Sequence, residues 1–150
     1  MADMSKQGQG LSPFTLEVER VKIRELVHAI GDSNPLFLKK EKALSEGYRD
    51  TPCPPTFITL AFQEFTGAYF KAFEALGVSL QNVLHGEETY EYLGEIYPGD
   101  RLRCHMVFES IVQKETKSGQ MFLITLRTLV TNQKGEDVLA ATSLIIEKVT

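Results

Sequence analysis

The segment Thr51-Pro52-Cys53-Pro54-Pro55-Thr56, with the run Phe57, Ile58, Leu60, Ala61, Phe62 and Phe65 behind it, constrains the fold of this chain more than any other feature. Three prolines in four positions fix an extended approach, and Thr56 is then a candidate N-cap for a helix running to about Thr66. That helix is apolar almost all round, and a helix of this kind is enclosed by other structure. Gly67 permits a break before a second helical stretch, where Tyr69, Ala72, Phe73 and Leu76 recur at helical spacing and Gly77 closes it.

After Gly77 the apolar period changes to that of strands. Leu102, Cys104, Met106 and Phe108 alternate with Arg103, His105 and Glu109, and Phe122, Ile124, Leu126 and Val130 alternate with Thr125, Arg127 and Thr131. Turns are marked by Pro98-Gly99-Asp100, Lys117-Ser118-Gly119 and Asn132-Gln133-Lys134-Gly135. With Glu87 to Ile96 and Val138 to Lys148 these make four successive strands, most economically an antiparallel meander. Upstream, Phe14, Leu16 and Val18 alternate as a short opening strand. Ile23, Leu26, Val27 and Ile30 then form the apolar stripe of a helix that Gly31 ends in a left-handed conformation. Helices first and strands afterwards is an α+β arrangement, and a long antiparallel sheet curled around one fully apolar helix is the hot-dog fold.

At 150 residues and 43% hydrophobic content the chain fits one domain with a real core. Residues 1–12, rich in Gly, Gln, Ser and Lys, read as a flexible tail, which leaves a single domain over 13–150. The net charge of -4, with Lys39 and Lys40 as the densest basic spot, argues against a nucleic-acid partner. Cys53 and Cys104 show no metal-ligand spacing and read as free thiols. No segment has the order of a secretory signal or approaches the ~20 apolar residues of a membrane span, so a soluble cytoplasmic protein without membrane contact is expected.

The turn after the first helix carries the chemistry. Gly31-Asp32-Ser33-Asn34-Pro35-Leu36-Phe37, followed after five residues by Ala43, resembles the signature of the MaoC-like hot-dog hydratases and dehydratases of acyl thioesters, Gly-Asp-x-Asn-Pro-(aliphatic)-His-x5-Ala/Ser. Every fixed position matches except one, because Phe37 stands where the signature has its catalytic histidine. Gly47-Tyr48, Pro54-Pro55-Thr56-Phe57, Leu84-His85-Gly86-Glu87 and Pro98-Gly99-Asp100 look like the N-terminal type of MaoC-like dehydratase domain. That type is similar to the non-catalytic subunit of heterodimeric 3-hydroxyacyl-carrier-protein dehydratases, and an aromatic commonly occupies the position of Phe37 in it.

What the resemblance implies follows from the reaction. Syn hydration of an enoyl thioester needs a base to take a proton from water, an acid to protonate the α-carbon, and donors for the thioester oxygen. In the catalytic relatives an aspartate and the histidine five residues later hold the water, and a glycine amide at the start of the central helix binds the carbonyl. Asp32 keeps the first role, while Phe37 can neither accept nor donate a proton. The family's His-Gly becomes Pro55-Thr56, so the amide is that of Thr56, and Pro55 offers no N–H. The resemblance assigns substrate contacts to Asn34, Pro55, Thr56, Phe57 and Gly86. It implies no cofactor beyond the coenzyme A or acyl carrier protein that bears the acyl group.

The leading reading is an acyl-thioester-binding subunit that works as a homodimer, or as a heterodimer with a catalytic MaoC-like chain. Asp32 also has an ordinary role in capping turn amides, and His85 one in pairing with a nearby backbone carbonyl. A second reading joins Asp32 and His85, across the fold or a dimer interface, in a replacement catalytic dyad, which requires them within about 8 Å of each other. A third makes Glu64, inside the central helix, the carboxylate of a hot-dog acyl-CoA thioesterase, and a fourth is a ligand-binding module without turnover. Tyr90 and Tyr92 share one strand face, where they seal a subunit interface or line an acyl channel, with interface packing the first expectation.

Overall fold

The computed structural model describes residues 1–62, 67–117 and 119–149. In chain order the elements are β1 (Phe14–Glu17), α1 (Arg20–Ala29), α2 (Lys40–Ser45), α3 (Phe57–Leu60), α4 (Ala68–Leu76), β2 (Val83–Tyr92), β3 (Arg101–Thr116), β4 (Gly119–Thr131) and β5 (Asp137–Val149). Period-two patterning gives the sheet one apolar face: Leu102, Cys104, Met106 and Phe108 of β3 are buried, while Arg101, Arg103 and His105 are exposed. A register shift between Phe108 and Ser110 admits Glu109 as an extra residue and lets Ile111 return to the buried face.

All pairings are antiparallel, in the order β1-β3-β4-β5-β2. The expected four-strand meander is therefore corrected: β3, β4 and β5 follow one another, but β2 crosses to the far side of β5 and β1 takes the place beside β3. Local hydrogen bonds explain the exchange. Gly99 donates to the Val18 carbonyl at 2.7 Å and Val18 donates to the Asp100 carbonyl at 2.9 Å, which fastens the end of β1 to the entrance of β3. The buried Asp100 carboxylate accepts from the Tyr97 amide at 2.8 Å and from Arg49 at 2.5 Å, closing the connection before β3. β1 thus occupies the flank of β3 on which a β2–β3 hairpin would pair.

The N-terminal residues expected as a flexible tail instead lie along β3. Beyond the four residues of β1, the β3 backbone still presents donors and acceptors that need partners. Gly8 donates to the Phe108 carbonyl at 2.8 Å, Phe108 to that of Gln9 at 2.9 Å, and Leu11 to that of Met106 at 2.9 Å. Ala2 is 5% exposed, and its amide donates to the buried Glu147 carboxylate at 2.7 Å. Polar composition does not prevent docking when backbone groups supply the contacts, so the folded unit reaches back past residue 13.

α3 follows the proline segment and lies inside the curved sheet, with Phe57, Ile58, Ala61 and Phe62 each at 1% exposure or less. This is the hot-dog arrangement anticipated from the pattern. Thr56 holds the N-cap position, but its φ of -91° and ψ of 0° are not extended and its side chain makes no capping hydrogen bond. The helix widens to a π turn at Ala61 and Phe62, and its expected end at Phe65 and Thr66 lies outside the described residues, as does Glu64. Gly67 and Gly77 flank α4 with φ of 61° and 66°, a left-handed conformation that glycine adopts without a Cβ penalty. No helix among the described residues is long and apolar enough to cross a membrane.

On α1, Ile23 and Val27 are buried, but Ile30 is 54% exposed because the helix ends at Ala29 and turns away through Gly31, whose φ is 68°. α2 was not anticipated; it buries Ala43 and places Lys40 3.1 Å from Asp50. Arg20 grips the same carboxylate through two contacts of 2.9 Å, so α1, α2 and the approach to α3 converge on Asp50. The Arg20 hydrogen bond, opposed by burial, holds the Asp50 carboxyl well below the usual carboxylate range. A depressed folded pKa stabilises the fold above the unfolded value near 3.9, and that stability is lost as pH falls toward the folded value. Asp50→Asn is therefore expected to cost about 2 kcal/mol in urea unfolding at pH 7. The difference from the natural chain should shrink steadily below about pH 4.

Candidate functional site

The turn behind α1 is built by its own side chains. Asp32 accepts the Asn34 amide at 2.8 Å, and Asn34 in turn accepts the Leu36 amide at 3.0 Å. Pro35 then opens a short 3-10 turn, Pro35–Phe37, where its missing N–H costs nothing. Two successive side-chain caps and a proline thus fix the direction in which Leu36 and Phe37 leave the turn.

Both residues enter a hollow of about 270 Å³, lined also by Tyr48, Pro52, Cys53, Pro55, Tyr92, Glu95 and Ile96. It joins three separate stretches of chain: the Asp32 turn, the proline approach to α3, and the end of β2. Phe37 contributes an apolar wall and no proton. Cys53 donates its amide to the Ile96 carbonyl at 2.8 Å, which fixes one side. Burial, reinforced by the nearby negative charges of Asp100 and Glu95, pushes the Cys53 thiol far up, so it stays protonated and is not a nucleophile at neutral pH.

Two tyrosines of β2 clamp the start of the central helix. The Tyr92 hydroxyl donates to the Pro55 carbonyl at 2.5 Å, and the Tyr90 hydroxyl meets that of Thr59. Desolvation raises the pKa of both phenols, which keeps them as neutral donors. Within the chain the pair contacts the start of α3, with the register Tyr90↔Ala141 and Tyr92↔Leu139; Tyr90 is half-buried, and Tyr92 stays 39% exposed at the sheet edge while lining the hollow. Tyr92→Phe is expected to lower stability by about 1 kcal/mol, read by chemical denaturation. The Thr56 amide, between the clamp points, has no acceptor among the described residues.

His85 belongs to a second group. Its Nε2 lies 2.8 Å from the Glu88 carboxylate, rather than on a backbone carbonyl, and Glu88 also accepts from Ser143 at 2.8 Å and from Tyr69 at 3.2 Å. The Tyr69 and Ser143 hydroxyls meet at 2.7 Å, and Tyr90, which also bonds Glu88, joins this network to the clamp on α3. His85 precedes Tyr92 by seven residues on one strand, a separation of roughly 20 Å at the usual rise. Among the described residues Asp32 and His85 share no hydrogen-bond partner.

Of the expected substrate contacts, Pro55 lines the hollow, Asn34 shapes the turn that feeds it, and Thr56 continues from it into α3. Phe57 is 1% exposed and belongs to the core. Gly86 sits at the β2 register shift, where a Cβ would meet the Leu144 carbonyl at 3.1 Å, so close strand packing accounts for it. Tyr48, Cys53, Glu95 and Ile96 were not foreseen as lining residues. The expected strand through Ile96 stops at Tyr92, which frees the next residues to fold over the hollow. Among the described residues no cluster of His, Cys, Asp or Glu is arranged to hold a metal ion.

Residues 5–141 match the family described as FAS1-like, dehydratase domain region. The chain belongs to that family. A UPF0336 protein of Streptomyces avermitilis is 31% identical to this FAS1-like dehydratase-region chain over 147 residues, 97% of this chain and 95% of its own length. A chain of the C-terminally truncated HadBC (3R-hydroxyacyl-ACP dehydratase) complex from Mycobacterium tuberculosis superposes with a TM-score of 0.77 at 23% identity, over 96% of this chain and 97% of that one. A MaoC-like dehydratase superposes with a TM-score of 0.79 at 23% identity, over 97% of this chain but 43% of the longer one. The resemblance to MaoC-like hot-dog dehydratases read from the Asp32 motif is thereby established, and so is the fold.

Proposed function

We propose that this chain is the acyl-thioester-binding subunit of a hot-dog hydratase/dehydratase whose proton-transfer pair resides on another chain. The observation that carries the reading is the content of the hollow. The Asp32–Asn34–Pro35 turn is built as the motif requires, yet the side chain that it delivers is Phe37, which has no proton to exchange. An apolar wall of Leu36, Phe37 and Ile96 suits an acyl chain, and the unpartnered Thr56 amide is a donor available to a carbonyl oxygen. The acyl group would arrive on coenzyme A or acyl carrier protein, with no further cofactor. The similar HadBC structure is a complex, which supports an arrangement with two kinds of subunit.

Within one protomer an Asp32–His85 dyad is disfavoured by the His85–Glu88 pair and by the length of β2 between His85 and the hollow; a dyad across a dimer interface is separated from the subunit reading by the activity of the isolated chain. The purified chain alone is expected to leave the enoyl-thioester absorbance of crotonyl-CoA unchanged. Mixing it with a MaoC-like chain that carries the Asp/His pair is expected to yield turnover above that of the second chain alone. Hydration by the isolated chain, abolished in Asp32→Asn, would overturn the subunit reading.

A further inference from the structure

We infer that the free edge of β2 selects its partner by charge, pairing with a hot-dog subunit whose edge strand carries Lys or Arg in preference to a second copy of this chain. The inference rests on the subunit reading above and adds the chemistry of the partner.

β2 hydrogen-bonds to β5 along one flank only, and no strand or loop among the described residues covers the other. The opposite end of the sheet is different, because β1 and the segment around Gly10 shield β3 there. A ten-residue edge with Leu84 and Tyr92 exposed, and Leu93 exposed just beyond it, is a template for another strand.

The charge on this edge is of one sign. From Ala72 to Asp100 the sequence contains no Lys or Arg but six acidic residues, Glu74, Glu87, Glu88, Glu91, Glu95 and Asp100. Glu88 faces inward and is satisfied by His85, Tyr69 and Ser143. Glu87 and Glu91 are exposed on the other face, beside Leu144 and Ala140 of β5, and neither takes an ion pair or hydrogen bond. Their strand neighbours therefore do nothing to neutralise them.

Antiparallel pairing of β2 with its own copy, about a two-fold axis anywhere between Glu87 and Glu91, sets glutamates of the two chains opposite or diagonal to each other. Directly opposed residues lie about 5 Å apart, inside the screening length of about 8 Å at physiological salt, so the repulsion is felt. A partner strand with Lys or Arg at the same positions turns the same contacts attractive, which suppresses self-pairing and promotes the mixed pair.

The test uses this chain as its own probe. Glu87→Lys/Glu91→Lys gives a basic-edged version, and both changes are on exposed side chains, so folding is checked simply by circular dichroism. Natural and basic-edged chains are mixed and the dimers counted by native mass spectrometry at low and at high salt. The expected result is a mixed dimer at least 10-fold above statistical abundance at low salt, falling toward statistical abundance at 1 M salt. Glu25→Lys/Glu41→Lys, with the same charge change away from β2, is expected to mix without preference. A tight dimer of the natural chain, statistical mixing, no mixed dimer, or equal preference for the control would each overturn the proposal. No arm reads turnover, so reconstituted activity alongside statistical mixing would sink the charge rule while leaving the subunit reading intact.

Discussion

Phe37→His is expected to raise hydration of a short enoyl thioester by this chain to a measurable rate, from the absence of turnover expected of the natural chain. A positioned proton-transfer side chain contributes on the order of 10²–10⁴-fold, and the hollow already presents position 37 to whatever occupies it. The turn that sets this position is held by Asp32 and Asn34 through backbone amides, so the substitution changes the chemistry of the wall without changing its support. The gain is expected to vanish in Phe37→His/Asp32→Asn, since one group alone does not hold and activate the water. Loss of crotonyl-CoA absorbance measures it. A folded variant with no gain would show that Asp32 serves the turn and nothing more.

Phe62→Ala is expected to cost 3–5 kcal/mol, the range for deleting a buried aromatic ring. Phe62 is fully buried where α3 widens, edge-on to Phe14 at 6.1 Å and to Tyr69 at 6.0 Å. It thus links β1, the central helix and α4, and its removal leaves a cavity that no single neighbour can close. Phe70→Ala is the comparison, because Phe70 is 55% exposed and its loss is expected to stay within about 0.5 kcal/mol. Urea unfolding of the two variants separates the core ring from the surface ring.

The parts of this fold legible in sequence are those set by local period. Alternation in β3 and β4 identifies the buried face residue by residue, and the run from Phe57 to Phe62 announces an enclosed helix. Long-range choices were not legible. Nothing in β2 itself says that it pairs with β5 instead of β3, because that depends on Val18, Gly99 and Asp100 closing the nearer place through backbone hydrogen bonds. The docking of residues 1–12 is not legible for the same reason: backbone pairing leaves little mark on composition. At the site, the Asp32 motif predicted the turn, but Tyr48, Cys53 and Glu95 come from irregular segments without periodicity. His85 was legible as an unusual residue, though its partner Glu88, three positions away, became evident only across the register shift.

The strand order also fixes a sequence of assembly. β2 is the first of the long strands to leave the ribosome, yet its sole neighbour in the sheet is β5, the last of them. Tyr92 cannot take its final position until that neighbour exists, and pairing across such a span of chain is slow. The hollow is therefore completed late, together with the exposed edge of β2. A nascent or truncated chain that lacks β5 would carry the Asp32 turn and the central helix and still have no formed hollow, so the proposed thioester binding is expected to report completion of the whole sheet.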